Sequence, residues 1–430
     1  MSVYDILELT LKQILPVIKP LRNDFVTRLQ IIDEFRAVVE SVESLRGATV
    51  EPFGSFICNL FSRWGDLDIS IELPNGSYIS SAGKKRKQNL LGEVLRALRG
   101  KGGWRKLQLI SNAKVPIVKC ESIYQNISCD ISINNLTGQM KSKFLFWISE
   151  IDERFRDMVL LVKEWAKAHD INDSRNGTFS SYSLCLLVIF HFQTCVPAIL
   201  PPLKEIYSGN ISDDLTGVRV LAERRIAETS AANIARFKSD RSRILNRSSL
   251  AELFISFLAK FSDIDSISLD HGVSPYTGQW ELISSNMRWL PRTYALYIED
   301  PFEQPGNAAR AVSNRELARI SDVFKTTHRR LNAANQNRSY LVATLVRPQI
   351  SQFVLGTPVT NPTSSGSSFR TRPQLNRTVQ TPSQFQPAQV QRQFQNMRLE
   401  SRPTENFTAQ RPVQPVQTQS QRVWRPRSNR

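Results

Sequence analysis

The chain has 430 residues, 41% of them hydrophobic, and carries 56 Lys and Arg against 39 Asp and Glu, a formal charge of +17. That length and apolar content suffice for two or three domains, and the basic excess points to a polyanionic partner, of which nucleic acid is the usual one. The longest apolar run is Leu184–Phe190, far short of the ~20 residues that cross a bilayer, and the first 23 residues lack the pattern of a secretory signal. Cys58, Cys120, Cys129, Cys185 and Cys195 are odd in number and show no CxxC spacing. They argue against a disulfide framework or a thiolate zinc site and for small buried side chains in a reducing compartment. The expectation is a soluble protein of cytoplasm and nucleus with no membrane partner.

In chain order, residues 1–44 read as a helical segment divided by Pro16 and Pro20, and it is expected to pack on a helical domain downstream. Residues 45–140 mix short strands with a helix. Asp68–Leu73 alternates strictly, Cys129–Ile133 repeats that pattern, and Leu90, Leu91, Val94, Leu95 and Leu98 form one helical face between them. From 141 to 345 the period becomes helical, with helices predicted over Asp157–His169, Ser180–Gln193 and Ser249–Phe261, the last capped by Ser248 or Ser249. Residues 346–430 read as a disordered tail: from Ser351 onward there are 14 Gln, nine Pro, 11 Arg, no Lys and two acids, too little apolar surface to offset ordering entropy. The last 80 residues thus hold +9 of the charge and the first 350 hold +8.

The chemistry concentrates in one stretch. Asp66 and Asp68 stand two apart at the start of a strand, so both carboxylates point to one face and repel unless a cation lies between them. Hard divalent ions with oxygen ligands fill that role, and Asp130, heading the second alternating strand, supplies a third ligand if the strands are neighbours. Three carboxylates can hold two metals roughly 3.5–4 Å apart for in-line phosphoryl or nucleotidyl transfer. Upstream, Gly54-Ser55 opens a short helical segment, where a bare backbone and helix N-terminal amides suit a phosphate. The acid pair by itself reads more readily as an exposed acidic turn.

Gly-Ser, a spacer, Asp-x-Asp and a later strand Asp resemble the signature of the DNA polymerase β-like nucleotidyltransferases. Val162–Lys167, Gly177–Ser183 and Ile298–Glu303 narrow the resemblance to terminal uridylyltransferases and cytoplasmic-type poly(A) polymerases, and the chain from Val3 to Leu331 is most similar to the plant terminal uridylyltransferases that tail small RNAs. The resemblance implies an α+β fold: a polymerase-β-like catalytic domain and a mainly helical poly(A)-polymerase-associated domain. It implies Asp66, Asp68 and Asp130 as catalytic metal ligands for Mg²⁺ or Mn²⁺. The remaining nucleotide-binding positions it implies are Gly54 and Ser55, Lys163 and Lys167 on the triphosphate, Ser181 on the terminal phosphate, Tyr182 stacked on the base, and Asp300 and Glu303 choosing it. Without the resemblance, the lysines read as a solvated helix face, Tyr182 as core and Asp300 as turn chemistry.

Two positions depart from the pattern. Gly306 stands where several uridylyltransferases have a His that excludes adenine, and Lys141-Ser142 stands where an Asn-Thr pair holds the ribose. The implied activity is template-independent addition of UMP from UTP to small RNA 3′ ends lacking 2′-O-methylation, and to messenger fragments, promoting decay, with RNA-silencing proteins as partners. The alternatives are an ATP-using poly(A) polymerase and an inert RNA-binding adaptor. The basic cluster from Lys84–Lys87 through Arg96, Arg99, Lys101, Arg105 and Lys106 reads as an RNA path, a nuclear address or a solvated face.

Overall fold

The computed structural model describes residues 3–74, 78–79, 82–333 and 337–356. Helices α1 (Val3–Ile18) and α2 (Arg22–Glu40) come first, separated where Pro20 lacks a backbone donor. Strand β1 (Thr49–Phe53), the one-turn α3 (Gly54–Ile57), β2 (Leu67–Glu72), α4 (Lys84–Lys101), β3 (Trp104–Ile110), β4 (Ile117–Ser122) and β5 (Ser128–Ile133) follow. The five strands form one sheet in the order β1-β2-β5-β4-β3, in which only β2 and β5 run parallel.

Strand periodicity decides what each face of the sheet meets. Leu67, Ile69 and Ile71 of β2 and Cys129, Ile131 and Ile133 of β5 bury against α4 and against Ile31, Ile32, Phe35, Val38 and Val39 of α2. The alternate positions Asp68, Ser70, Glu72, Asp130 and Ser132 therefore turn to the opposite face. This corrects one expectation: α1 alone packs on the helical domain, against Phe254, Leu341 and their neighbours, whereas α2 belongs to the catalytic layer. Every residue of α2 that faces inward is apolar except Arg28, which donates to the Arg63 and Gly65 carbonyls.

The second domain is helical: α5 (Leu136–Ser149), α6 (Glu153–Ala168), α7 (Ser181–Gln193), the one-turn α8 (Leu203–Ile206) and α9 (Ile211–Asp214), α10 (Arg219–Ser239), α11 (Leu250–Lys260), the one-turn α12 (Ile264–Ile267), α13 (Asn314–Leu331), α14 (Arg338–Leu345) and α15 (Pro348–Leu355). A short antiparallel hairpin, β6 (His271–Ser274) and β7 (Gln279–Leu282), braces the segment at Ile298. Trp165, Phe254, Phe257, Phe261 and Phe324 interlock edge to face at its centre, with Trp165 and Phe324 centroids 4.9 Å apart. Ser249 caps α11 with Glu252 returning the bond, one of the two capping residues expected.

The tail starts later than its composition suggested. Val346, Ile350 and Val354 are buried, and Arg347 pairs with Glu164, itself 3% exposed. Residues 346–356 are thus part of the fold; the rest of the expected tail, 357–430, lies outside the described residues. The two domains are tied across the sheet's polar face. Arg219 of α10 donates to Glu72 of β2 at 3.1 Å and to Gln139 of α5 at 2.9 Å, while Gln139 also donates to Glu72. No described helix is long and apolar enough to cross a membrane.

Candidate active site

The sheet register assembles the acids. Asp68 on β2 lies directly opposite Asp130 on the parallel β5, and Asp66 stands just before β2. Lys119, opposite Asp130 on β4, inserts its ammonium into this group, with Nζ 3.0 Å from Asp130 Oδ1 and 3.6 Å from Asp66 Oδ2. Burial, then the neighbouring charges of Asp130 and Asp66, push the Asp68 carboxyl up to about 7. With Lys119 in place, no three acidic, His or Cys side chains among the described residues close to a metal-ligating arrangement. The donor set nevertheless suits a divalent cation. Three carboxylates converge with too little positive charge to keep Asp68 ionised at its usual pH, and an ammonium has been drawn in as partial compensation. A hard cation relieves both conditions.

Gly54 is required by this packing. Its φ is +67°, and a Cβ there would lie 1.9 Å from Asp68 Oδ2, so the glycine lets α3 press against the acid. Its amide donates to Ser142 Oγ at 2.7 Å, and Ser142 donates in turn to the Gly138 carbonyl at 2.8 Å. Ser142, half of the departing pair, therefore acts on the backbone of the Gly-Ser turn.

Gly54, Ser55, the three aspartates, Lys163, Lys167, Ser181 and Tyr182 all line one cavity of about 530 Å³. Lys163 donates to the Leu60 carbonyl at 2.9 Å. Burial, then Lys163 and Arg347, lower the Lys167 ammonium to about 8, the signature of cations held close and short of anions. Ser181 donates to Asn172 at 3.3 Å, a partner the motif did not reveal.

Asp300 and Glu303 line a second cavity of about 620 Å³ that shares Gly138, Lys141, Ser180 and Tyr182 with the first. Tyr182 donates to Asp300 Oδ1 at 2.9 Å. Lys141 reaches both acids, with Nζ 2.5 Å from Asp300 Oδ2 and 2.5 Å from Glu303 Oε2. Of the basic cluster, Lys84 and Lys87 line this cavity, while Arg105 and Lys106 are paired with Glu121. Lys119, Lys141 and Asn172 are the functional neighbours that motif reading missed. For Lys119 the available signal was its polar position within the alternation of Val118-Lys119-Cys120.

This arrangement has relatives. Arabidopsis thaliana protein HESO1 is 62% identical over 352 residues, which cover 82% of this chain and 69% of that protein. The chain belongs to the plant terminal uridylyltransferases. A family described as the central palm domain of mitochondrial-like poly(A) RNA polymerase matches residues 7–150. Poly(A) RNA polymerase GLD2 of Mus musculus is 32% identical over 56% of this chain and 47% of its own length, so the chain spans about half of that relative. Among solved structures, the Cid1 poly(U) polymerase superposes with a TM-score of 0.61 at 23% identity, covering 80% of this chain and 99% of its own. Mitochondrial poly(A) polymerase in complex with UTP gives 0.61 at 19% identity, covering 81% and 73%. These likenesses establish the polymerase-β-like nucleotidyltransferase fold, and membership of the uridylyltransferases makes the chain a nucleotidyltransferase enzyme.

Proposed function

We propose that this uridylyltransferase adds UMP from UTP, without a template, to RNA 3′ ends, with small RNAs lacking 2′-O-methylation as its principal substrates and messenger fragments as others. The observation that carries the reading is the Asp68–Asp130 register at the floor of a cavity lined by Gly54 and two lysines. Asp66, Asp68 and Asp130 would hold Mg²⁺, or Mn²⁺ in its place. Divalent ions held there would supply Lewis-acid chemistry, lowering the pKa of the 3′-hydroxyl and neutralising the developing charge on phosphate.

The protein's own groups account for the rest. Lys163 and Lys167 neutralise the triphosphate, which favours binding and departure of pyrophosphate. Ser181 offers a hydroxyl beside them, and the Tyr182 ring supplies a stacking face worth ~1–3 kcal/mol to a base. Asp300 and Glu303 accept from N3–H of uracil, whereas adenine presents a lone pair at N1. A terminal ribose seated against the acids leaves little space for a 2′-O-methyl group. The enzyme would act in cytoplasm and nucleus beside RNA-silencing proteins and promote decay of what it tails.

Purified protein with Mg²⁺, a short RNA and each NTP separately tests this. UTP should be incorporated far faster than ATP, and Asp66→Ala with Asp68→Ala should abolish extension. Efficient tailing with ATP and poor tailing with UTP would overturn the base assignment; extension surviving the double substitution would overturn the metal site.

A further inference from the structure

The base-choosing acids are held by a cation from a different element. Asp300 and Glu303 lie in a turn closed by Gly306, whose carbonyl accepts from the Asp300 amide at 2.8 Å and whose amide donates to the Glu303 carbonyl at 2.7 Å. A Cβ at Gly306 would meet the Glu303 carbonyl oxygen at 2.6 Å. This turn therefore has no room for the larger side chain that excludes adenine in relatives of the family. Selection by bulk from that position is closed to this chain, and another device is needed if uracil is to be chosen.

Lys141 of α5 supplies it. The lysine side chain is 15% exposed and Asp300 9%, and the ammonium contacts one oxygen of each acid. Lys114 adds a second ammonium on Glu303 at 3.1 Å, and Tyr182 donates to the other oxygen of Asp300. The Lys141 ammonium also lies 5.2 Å from the centroid of the Tyr182 ring, beside the face on which a base would stack. The other charged groups lining the cavity are Lys84, Lys87 and Arg310, and behind Asp300 lies Glu299, pushed up to about 7 by burial, with Arg288 near it. Burial pushes the Glu303 carboxyl up, and Lys141 and then Lys114 overcome that, leaving it below the ordinary glutamate value.

We propose that Lys141 is the positioning residue that makes this site read uracil, by fixing Asp300 and Glu303 beside the base and keeping Glu303 an ionised, acceptor-only carboxylate; this rests on the base-site reading above. An ionised carboxylate can only accept hydrogen bonds, whereas a protonated one also donates. Uracil presents a donor at N3. Adenine at N1 and cytosine at N3 present lone pairs, which an acceptor-only site leaves unpaired and a protonated carboxyl would satisfy. Unpaired buried polar groups are what make hydrogen-bond discrimination strong. Burial favours the neutral, permissive form of the Glu303 carboxyl unless a fixed cation opposes it, and Lys141 is the first such cation, with Lys114 the second.

The experiment compares kcat/KM for UTP, CTP and ATP across about pH 6 to pH 8 for the full chain, Lys141→Gln, Lys141→Arg and Lys114→Gln, each checked for folding by thermal melt. Wild type should prefer UTP with a preference that is flat in pH. Lys141→Gln should lower the preference by roughly tenfold or more, and further as the pH falls and the Glu303 carboxyl takes up a proton. Lys141→Arg should restore the flat profile, and Lys114→Gln should show a weaker drift of the same sign. If Lys141→Gln loses rate equally on all nucleotides at every pH, or keeps the wild-type preference, the inference is wrong. If Lys141→Gln fails to fold, a Lys114→Gln preference that is unchanged and flat overturns it instead. A wild type that prefers ATP overturns the base-site reading itself, which separates the two failures.

Discussion

Asp68→Asn should make the metal-free protein more stable above neutral pH while destroying activity. The carboxyl moves from an ordinary value of 3.8 to about 7 on folding, so the folded chain holds the proton more tightly than the unfolded one. Its contribution to stability is then full below about pH 4 and is lost progressively as the pH rises through about 7. At about 1.4 kcal/mol per pH unit the whole span amounts to about 4 kcal/mol. Solvent reaching a half-buried carboxylate reduces that to roughly 2 kcal/mol. Asparagine has the same shape, so the contact with the Gly54 backbone survives and only the repulsion from Asp66 and Asp130 goes. Denaturant unfolding with EDTA at several pH values should give curves for wild type and Asp68→Asn that converge in acid and separate above pH 7. Adding Mg²⁺ should raise the wild-type midpoint and leave the variant nearly unmoved. Parallel pH profiles, or a variant less stable than wild type at high pH, would refute the electrostatic account of this site.

Gly54→Ala puts a methyl group 1.9 Å from Asp68 Oδ2 at a φ of +67°; single-turnover extension should fall by ~100-fold or more from misplacement of the acid, and near-normal rates would show that α3 does not hold Asp68. Lys167, lowered to about 8, neutralises triphosphate only when protonated, so KM for UTP should rise above that pH, and Lys167→Arg should flatten the rise. Ending the chain after Gly356 removes eleven arginines and should weaken RNA affinity, more at low salt, while leaving turnover on saturating RNA intact. Arg347→Ala removes both guanidinium bonds from Glu164, 3% exposed, and leaves it the backbone amide of residue 347 and the nearby Lys167, so it should cost about 2 kcal/mol by thermal or denaturant unfolding.

The site was readable where chemistry is encoded over short range. Asp66-x-Asp68 and the alternation after Asp130 place each acid on its strand, and Gly54 shows why the turn before them must be bare. What periodicity cannot say is which core a buried face meets. Ile31, Ile32, Phe35, Val38 and Val39 have the same helical spacing whether they pack on the sheet, as they do, or on the helical domain, as expected. Helix α10 escaped notice for a related reason: its buried stripe is only Ala222, Ile226, Ser230 and Ile234, narrow and half small or polar, so it barely registers as amphipathic. The tail boundary failed through averaging. Val346, Ile350 and Val354 repeat every fourth residue, but the Gln- and Pro-rich composition of the following residues hid a short folded segment.

The contacts of Lys119 with Asp66 and of Lys141 with Asp300 and Glu303 join positions far apart in the chain, which no local pattern encodes. Both lysines place an ammonium among converging carboxylates, but they are not equivalent. Lys119 makes one close contact, to Asp130, and a looser one at 3.6 Å to Asp66, which is 55% exposed on its side chain. A doubly charged ion with oxygen preference can outcompete an ammonium held this loosely, since it offers twice the charge to the same oxygens. Lys141 makes two contacts of 2.5 Å to acids that are 9% and 23% exposed, and a ring lies beside it. Displacing it would leave Asp300 without a cation and Glu303 with Lys114 alone, at the cost of poorly compensated buried charge. Lys119 would therefore give way to a divalent ion at the three aspartates, whereas Lys141 stays in the wall of the cavity that Asp300 and Glu303 line.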